Sequence, residues 1–252
     1  MYKRTNLFIL LQLALLLNGC AQATDRTLSP PSDSDWINVE IKNPSQYTKP
    51  FPLEVLYIST TCRRELMSMR DGQHYEKVGL NPVKIPLQNQ HDSNVWVAKI
   101  AKNGGGKCNW KLSEFNLGIE YIDATHLGKG LVPGTAVGAT IAFDDNATKN
   151  GLFETVHGDI TLSPTYYPYI RERKLNSTET TLSLLGERNF IFLRGEAATK
   201  VVFMPSLDET KITRYIGVKK KEPGAHAQII YPDGSVAPKG TIVPDFNKIN
   251  VK

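Results

Sequence analysis

The stretch NGGGKCNWKLSEFNLGIEY, Asn103–Tyr121, decides the fold. Three glycines before a lysine suggest a loop that cradles phosphate. A lone cysteine beside a tryptophan suggests a buried staple. The phosphate reading fails on spacing. A G-x-x-x-x-G-K-[ST] loop ending at Gly106-Lys107 would need its first glycine where Ala101 stands and a hydroxyl where Cys108 stands. The preceding VWVAKIAK, Val95–Lys102, reads as a strand. The following residues, 108–123, alternate like two further strands and not like an amphipathic helix. Glycines between strand-like runs mark a turn, since glycine adopts positive φ without steric cost.

Outward from that turn the chain keeps the same rhythm. WINVEIK from Trp36, PLEVLYIS from Pro52, AVGATIAF from Ala136, TTLSLL from Thr180, NFIFLR from Asn189 and KVVFMP from Lys200 are short apolar runs rich in Val, Ile and Phe. GDITLS, KITRYIGV and AQIIYP continue the series, and YPDGS, Tyr231–Ser235, is a tight-turn signal. RRELMSMRDG, from Arg63, fits a loop or a single helical turn. The expectation is an all-β body, sandwich-like or two-lobed, with little helix. It spans residues 36–252. PTYYPYIRERK, Pro164–Lys174, breaks the rhythm, and a division into two lobes would fall there.

The N-terminus carries different information. Lys3 and Arg4 precede an apolar run, Leu7–Leu17, interrupted by Gln12. The run is short for a bilayer span and fits the apolar core of a secretory signal peptide, residues 1–19. It ends in LNGC, Leu17–Cys20, which resembles the lipobox of bacterial lipoproteins. That resemblance implies cleavage before Cys20 and acylation, palmitate-type chains included, of its thiol and amine. An ordinary signal peptide with a chance cysteine is the alternative. Ala21, where an aspartate would signal retention, implies transport to the outer membrane, with the body facing the periplasm. Residues 20–35, polar and containing Pro30-Pro31, read as a lipidated flexible tether reaching roughly 20 Å. Losing Lys3 and Arg4 leaves 28 basic against 25 acidic residues, a formal +3. So mild a charge, and still more an envelope location, argues against a nucleic-acid partner.

Of the three cysteines, Cys62 and Cys108 remain once Cys20 carries lipid. In an oxidising compartment they are natural partners. Closing a loop of roughly 47 residues would contribute about 4 kcal/mol in the chain-entropy model. Two free buried thiols are the alternative.

Catalytic and metal signals are weak. No two of the five histidines, His74, His91, His126, His157 and His226, stand two or four residues apart, as local metal pairs do. FDDNATKNG, Phe143–Gly151, lacks the alternating oxygen ligands and closing glutamate of an EF-hand loop. No G-x-S-x-G elbow and no G-x-G-x-x-G fingerprint occur. A carboxylate pair distant in sequence would leave no signature. The chain is read as a non-enzyme without cofactor or metal.

Two stretches look like contact surface. TYYPYIRER gathers Tyr166, Tyr167, Tyr169, Arg171 and Arg173, residue types enriched in interface anchors, though a strand of core rings would read the same. GVKKKEPG carries Lys219–Lys221, suited to an anionic partner or to a solvated hairpin loop. PLEVLYISTTCRR followed by GGGKCNWKLSEFNLGIEY resembles the lipoprotein immunity proteins that accompany phospholipase effectors of type VI secretion. That resemblance implies a secreted protein partner bound stoichiometrically, no cofactor, and membrane attachment through lipid alone. A structural or ligand-binding envelope lipoprotein is the second reading and an envelope hydrolase the third.

Overall fold

The computed structural model describes residues 24–91, 93–175 and 179–250. Residues 1–19, the acylation candidate Cys20 and residues 21–23 lie outside the described residues. The strands run in chain order as β1 (Trp36–Lys42), β2 (Thr48–Pro50), β3 (Leu53–Met67), β4 (His74–Ile85), β5 (Gln88–Asn89), β6 (Val95–Ala101), β7 (Asn103–Gly105) and β8 (Trp110–Tyr121). Then follow β9 (Leu131–Pro133), β10 (Val137–Ala142), β11 (Glu154–His157), β12 (Ile160–Leu162), β13 (Thr165–Glu172) and β14 (Thr180–Leu185). The last are β15 (Phe190–Glu196), β16 (Lys200–Phe203), β17 (Ser206–Leu207), β18 (Thr213–Ile216) and β19 (Gln228–Ile230). Helix among the described residues is limited to a 3₁₀ turn at Thr125–Leu127 and the four-residue α1, Phe246–Ile249. The protein is all-β with a sandwich-like architecture. No helix of the described residues is long and apolar enough to cross a membrane.

Three sheets share the chain. One has the order β12-β16-β1-β6-β5 and another β11-β15-β10-β8-β3-β4, with β2 and β7 also on β8. The third is β19-β18-β13-β14-β9, with β17 beside β13. β8 is the hub, pairing with β2, β3, β7 and β10. It is one strand and not the two that its alternation suggested, because register shifts against β3 and β7 interrupt its pattern. Phe115, Leu117 and Ile119 of β8 pack into one apolar core with Ile37, Tyr57, Ile141, Leu184 and Phe203.

No lobe boundary falls at 164–174. That segment contains β13, an interior strand of the third sheet, and β1 pairs in parallel with β16 across most of the chain. The core is continuous across the supposed divide. The stretch includes Pro168, a residue that cannot donate to a ladder. It fits because the neighbouring strand is itself broken opposite it: β17 ends at Leu207, paired with Tyr166, and β18 begins at Thr213, paired with Tyr169. A residue without an N–H is tolerated where the ladder is open.

The described part of the expected tether is bound to the body. Trp110 Nε1 donates to Asp25 O at 3.1 Å, Asn81 Nδ2 to Arg26 O at 2.9 Å, and Ser29 N to Gly104 O at 2.8 Å. Leu28 packs on the core. The glycines explain why this is feasible. Gly105 and Gly106 have φ of +59° and +70°, and a Cβ on either would collide with the carbonyl of Ser29 or Thr27. The triple glycine therefore turns the chain and also leaves room for the N-terminal segment to lie against it.

Candidate functional site

The β3–β4 hairpin has an inner and an outer half. From Leu53 to Ile58, β3 lies in the sheet, with β8 on one side over Glu54–Ile58 and β4 on the other. Pairing with β4 then shifts between Ser59 and Arg64, so residues 60–63 bulge out of register. Buried Ser59 organises the bulge. Its Oγ donates to Cys108 O and accepts from the N–H groups of Thr61 (3.1 Å) and Cys62 (2.8 Å). The Cys62–Cys108 disulfide, with Cα atoms 5.2 Å apart, ties the bulge to the turn before β8. Opposite, a Cβ on Gly79 would strike the Cys62 carbonyl, so glycine is required there.

Beyond the disulfide the hairpin stands clear. From Arg63 to Lys77 no residue is buried, and β3 has only β4 as a ladder partner. The two strands close through Ser68 N to Gln73 O at 2.8 Å and Gly72 N to Ser68 O at 2.9 Å. Met67, Met69 and Tyr75 are exposed, Met69 almost completely at 99%. Arg63 pairs with Glu76 at 2.8 Å and His74 with Glu65 at 2.7 Å. The region that sequence reading took for a loop or a helical turn is thus a projecting β arm. The methionines stand in that stretch, but the sequence reading did not single them out. What was missing was β4, whose Gly79, Asn81 and Pro82 punctuate it like a loop. Pro82 is allowed because β4 is the edge strand of its sheet.

The tyrosine run is placed differently. Tyr166 is wholly buried against Phe203, and Tyr167 and Tyr169 are buried as well. They are not surface anchors. One face of β13 carries Tyr166 and Ile170 into the main core. The other carries Tyr167 beneath the C-terminal segment, in a second cluster with Ile229, Tyr231 and Ile249. Tyr167 Oη donates to Asn250 Oδ1 at 2.8 Å, and the Phe246 ring meets its edge. Burial pushes the Tyr166 and Tyr169 phenols up in pKa. The Tyr166 hydroxyl is buried without a hydrogen-bond partner.

Arg171 and Arg173, of the same run, stay accessible at the end of β13. Parallel pairing sets Arg171 opposite Tyr215 and Glu172 opposite Ile216, and Gly217 N donates to Glu172 O at 2.8 Å. The two basic stretches picked out separately in the sequence are joined by this register. Arg173 and Lys174 line a recess together with Lys219, and exposed Lys220 and Lys221 continue beyond it.

A third cluster left no sequence signal. His126 stacks on Tyr47 with ring centroids 3.6 Å apart, and its Nε2 lies 2.8 Å from Glu209 Oε1. Its Nδ1 faces the Asp123 carbonyl at 3.1 Å, and Tyr121 Oη donates to the same Glu209 oxygen at 3.1 Å. Burial and the Glu209 charge push the Tyr121 phenol well up. The cluster fastens the loop between β17 and β18 to the end of β8. His74 and His157 each pair with one glutamate elsewhere, and no group of three or more His, Cys, Asp or Glu positioned for a metal occurs among the described residues. Glu114 is raised by burial and, second, by the nearby Asp144 carboxylate. Comparison of the chain with protein-family models, with curated proteins and with solved structures finds no match.

Proposed function

We propose that this chain is a lipid-anchored, periplasm-facing protein of the outer membrane that captures a secreted toxic effector and holds it inactive. A phospholipase-type effector follows from the sequence resemblance. The observation that carries the binding part is the β arm beyond the Cys62–Cys108 disulfide. It offers Met67, Met69 and Tyr75 with Arg64 and Arg70, whose guanidinium groups have no carboxylate at ion-pair distance among the described residues. Flexible methionine side chains adapt to a partner's surface, and aromatic and arginine side chains are common anchors. A two-stranded projection exposed on both faces suits a concave partner, such as the mouth of an enzyme cleft. The disulfide and the Ser59 hydrogen bonds hold its base still, which lowers the ordering cost of binding.

The test is co-expression with a candidate phospholipase effector encoded nearby. The chain should copurify with the effector and protect cells. Met67→Glu with Met69→Glu should weaken the complex by about a hundredfold or more, the loss of two buried apolar contacts. A complex insensitive to both changes removes the arm from the proposal. Absence of complex and of protection removes the immunity reading. Binding of the arm to effector-free liposomes, abolished by the same double change, would make it a membrane element instead. The anchor is tested separately: Cys20→Ala should give a protein that no longer fractionates with outer membranes.

A further inference from the structure

We infer that the recess at the end of β13 is a binding site for a phosphate group. This goes beyond the effector reading and does not rest on it. The recess measures about 330 Å³, room for roughly ten waters. Arg171, Arg173, Lys174 and Tyr215 line it. An adjoining recess shares Arg173 and Lys174 and adds Glu172 and Lys219. Across the two, four cations face one carboxylate, a surplus of three positive charges. The carboxylate is already engaged, because Lys174 Nζ sits 2.9 Å from Glu172 Oε2.

Arg171 makes this more than a solvated basic surface. Its Cζ lies 5.8 Å from the Tyr169 ring centroid and 5.5 Å from that of Tyr215. Two aromatic rings therefore fix the guanidinium before any ligand arrives. Its Nε is buried and meets no acceptor, and neither Arg171 nor Arg173 has a carboxylate at ion-pair distance among the described residues. A buried donor without an acceptor is costly unless a ligand or water supplies one. A planar guanidinium presents parallel N–H groups that match a phosphate's oxygens in pairs. A single carboxylate would be matched by one guanidinium, whereas two guanidiniums with flanking ammonium groups fit a more highly charged oxyanion. Free phosphate and the phosphomonoester of a lipid headgroup share that chemistry.

The experiment is thermal unfolding of the full-length chain in rising inorganic phosphate, against chloride at equal ionic strength. A ligand bound only by the folded state raises the midpoint. Arg173→Ala should weaken the response about tenfold or more, as for loss of a charge-assisted hydrogen bond. Arg171→Lys, which keeps charge but not the planar fork, should weaken it measurably. Lys84→Ala, an exposed cation on β4 in a different sheet, should leave it intact. A parallel titration with a short-chain phosphatidic acid identifies the source. A response to the lipid at lower concentration than to inorganic phosphate assigns the site to a headgroup, and the reverse assigns it to free phosphate. The proposal is overturned if phosphate does no more than chloride, if acetate does as much, or if Arg173→Ala and Arg171→Lys both respond like the unaltered protein.

Discussion

RRELMSMRDGQHYEK, Arg63–Lys77, and TYYPYIRERK, Thr165–Lys174, draw on similar side chains: arginines, tyrosine and large apolar groups. No residue of the first is buried, whereas the second is buried throughout Tyr166–Ile170. Composition does not separate them. Their neighbours do. Beyond its disulfide, β3 has only β4 beside it among the described residues, and none of its residues there is buried. β13 has strands on both edges, the main core under one face, and the segment from Ile229 to Ile249 over the other. Exposure here is decided by parts of the chain remote in sequence from the residues concerned.

The widest test of that contrast is a pair of truncations. Tyr166→Ala should cost about 3–5 kcal/mol in denaturant unfolding, the range for deleting a fully buried aromatic ring. Met69→Ala, at the arm's tip, should stay within about 0.5 kcal/mol. Similar values for the two would erase the distinction. Replacing both Cys62 and Cys108 with serine should cost up to about 4 kcal/mol and speed amide exchange in residues 63–77 more than in β13. Titration of the unreduced, denatured protein should find neither of these thiols free. Gly105→Ala should cost at least about 1 kcal/mol, since the backbone there has positive φ and the Ser29 carbonyl occupies the space. Trypsin should then cut after Arg26 faster than in the unaltered chain, and an unchanged rate would mean that residues 25–29 are not held by this turn.

A smaller effect is expected at Glu114. Its folded carboxyl keeps a proton to higher pH than an unfolded glutamate does. Its contribution to stability is therefore complete below the unfolded pKa, near 4, and is lost as pH rises through the folded value. Glu114→Gln should raise the unfolding midpoint modestly at pH 7 and leave it unchanged below about pH 4. A midpoint gain that is the same at both pH values would assign the effect to packing. Tyr166→Phe should go the other way and raise stability modestly, by about 1 kcal/mol, because the hydroxyl it removes is buried with no hydrogen-bond partner among the described residues.

The all-β class, the Cys62–Cys108 staple and many of the strands were legible, because alternation over short Val- and Ile-rich runs is a local signal. Trp36–Lys42 and Thr180–Leu185 match their strands end to end. The failures have a common cause. Gly79 and Pro82 in β4, and Pro168 in β13, are residue types that locally signal a break. Each is compatible with a strand only because of what stands next to it: the Cys62 carbonyl, a free sheet edge, and a break in the neighbouring ladder. Arg171 and Arg173 were picked out for their chemistry, but their meeting with Lys219 follows from the β13–β18 register. The His126–Glu209 pair joins residues too far apart in sequence for any local pattern to reveal.

The docking of Asp25–Ser29 against the glycine turn has a geometric consequence for a chain anchored at Cys20. Only four residues separate Cys20 from Asp25. Fully stretched, they span no more than roughly 18 Å. The mooring is therefore short, and it ends beside the root of the arm, where Asn81 of β4 holds Arg26 and Trp110 holds Asp25. If the chain is anchored at Cys20, a body on so short a lead would not turn freely above the bilayer. It would sweep a thin layer next to the lipid surface, where the effective concentration of its arm would be high. Interception in that layer would take place at the surface a phospholipase must reach, and not in the open volume of the compartment.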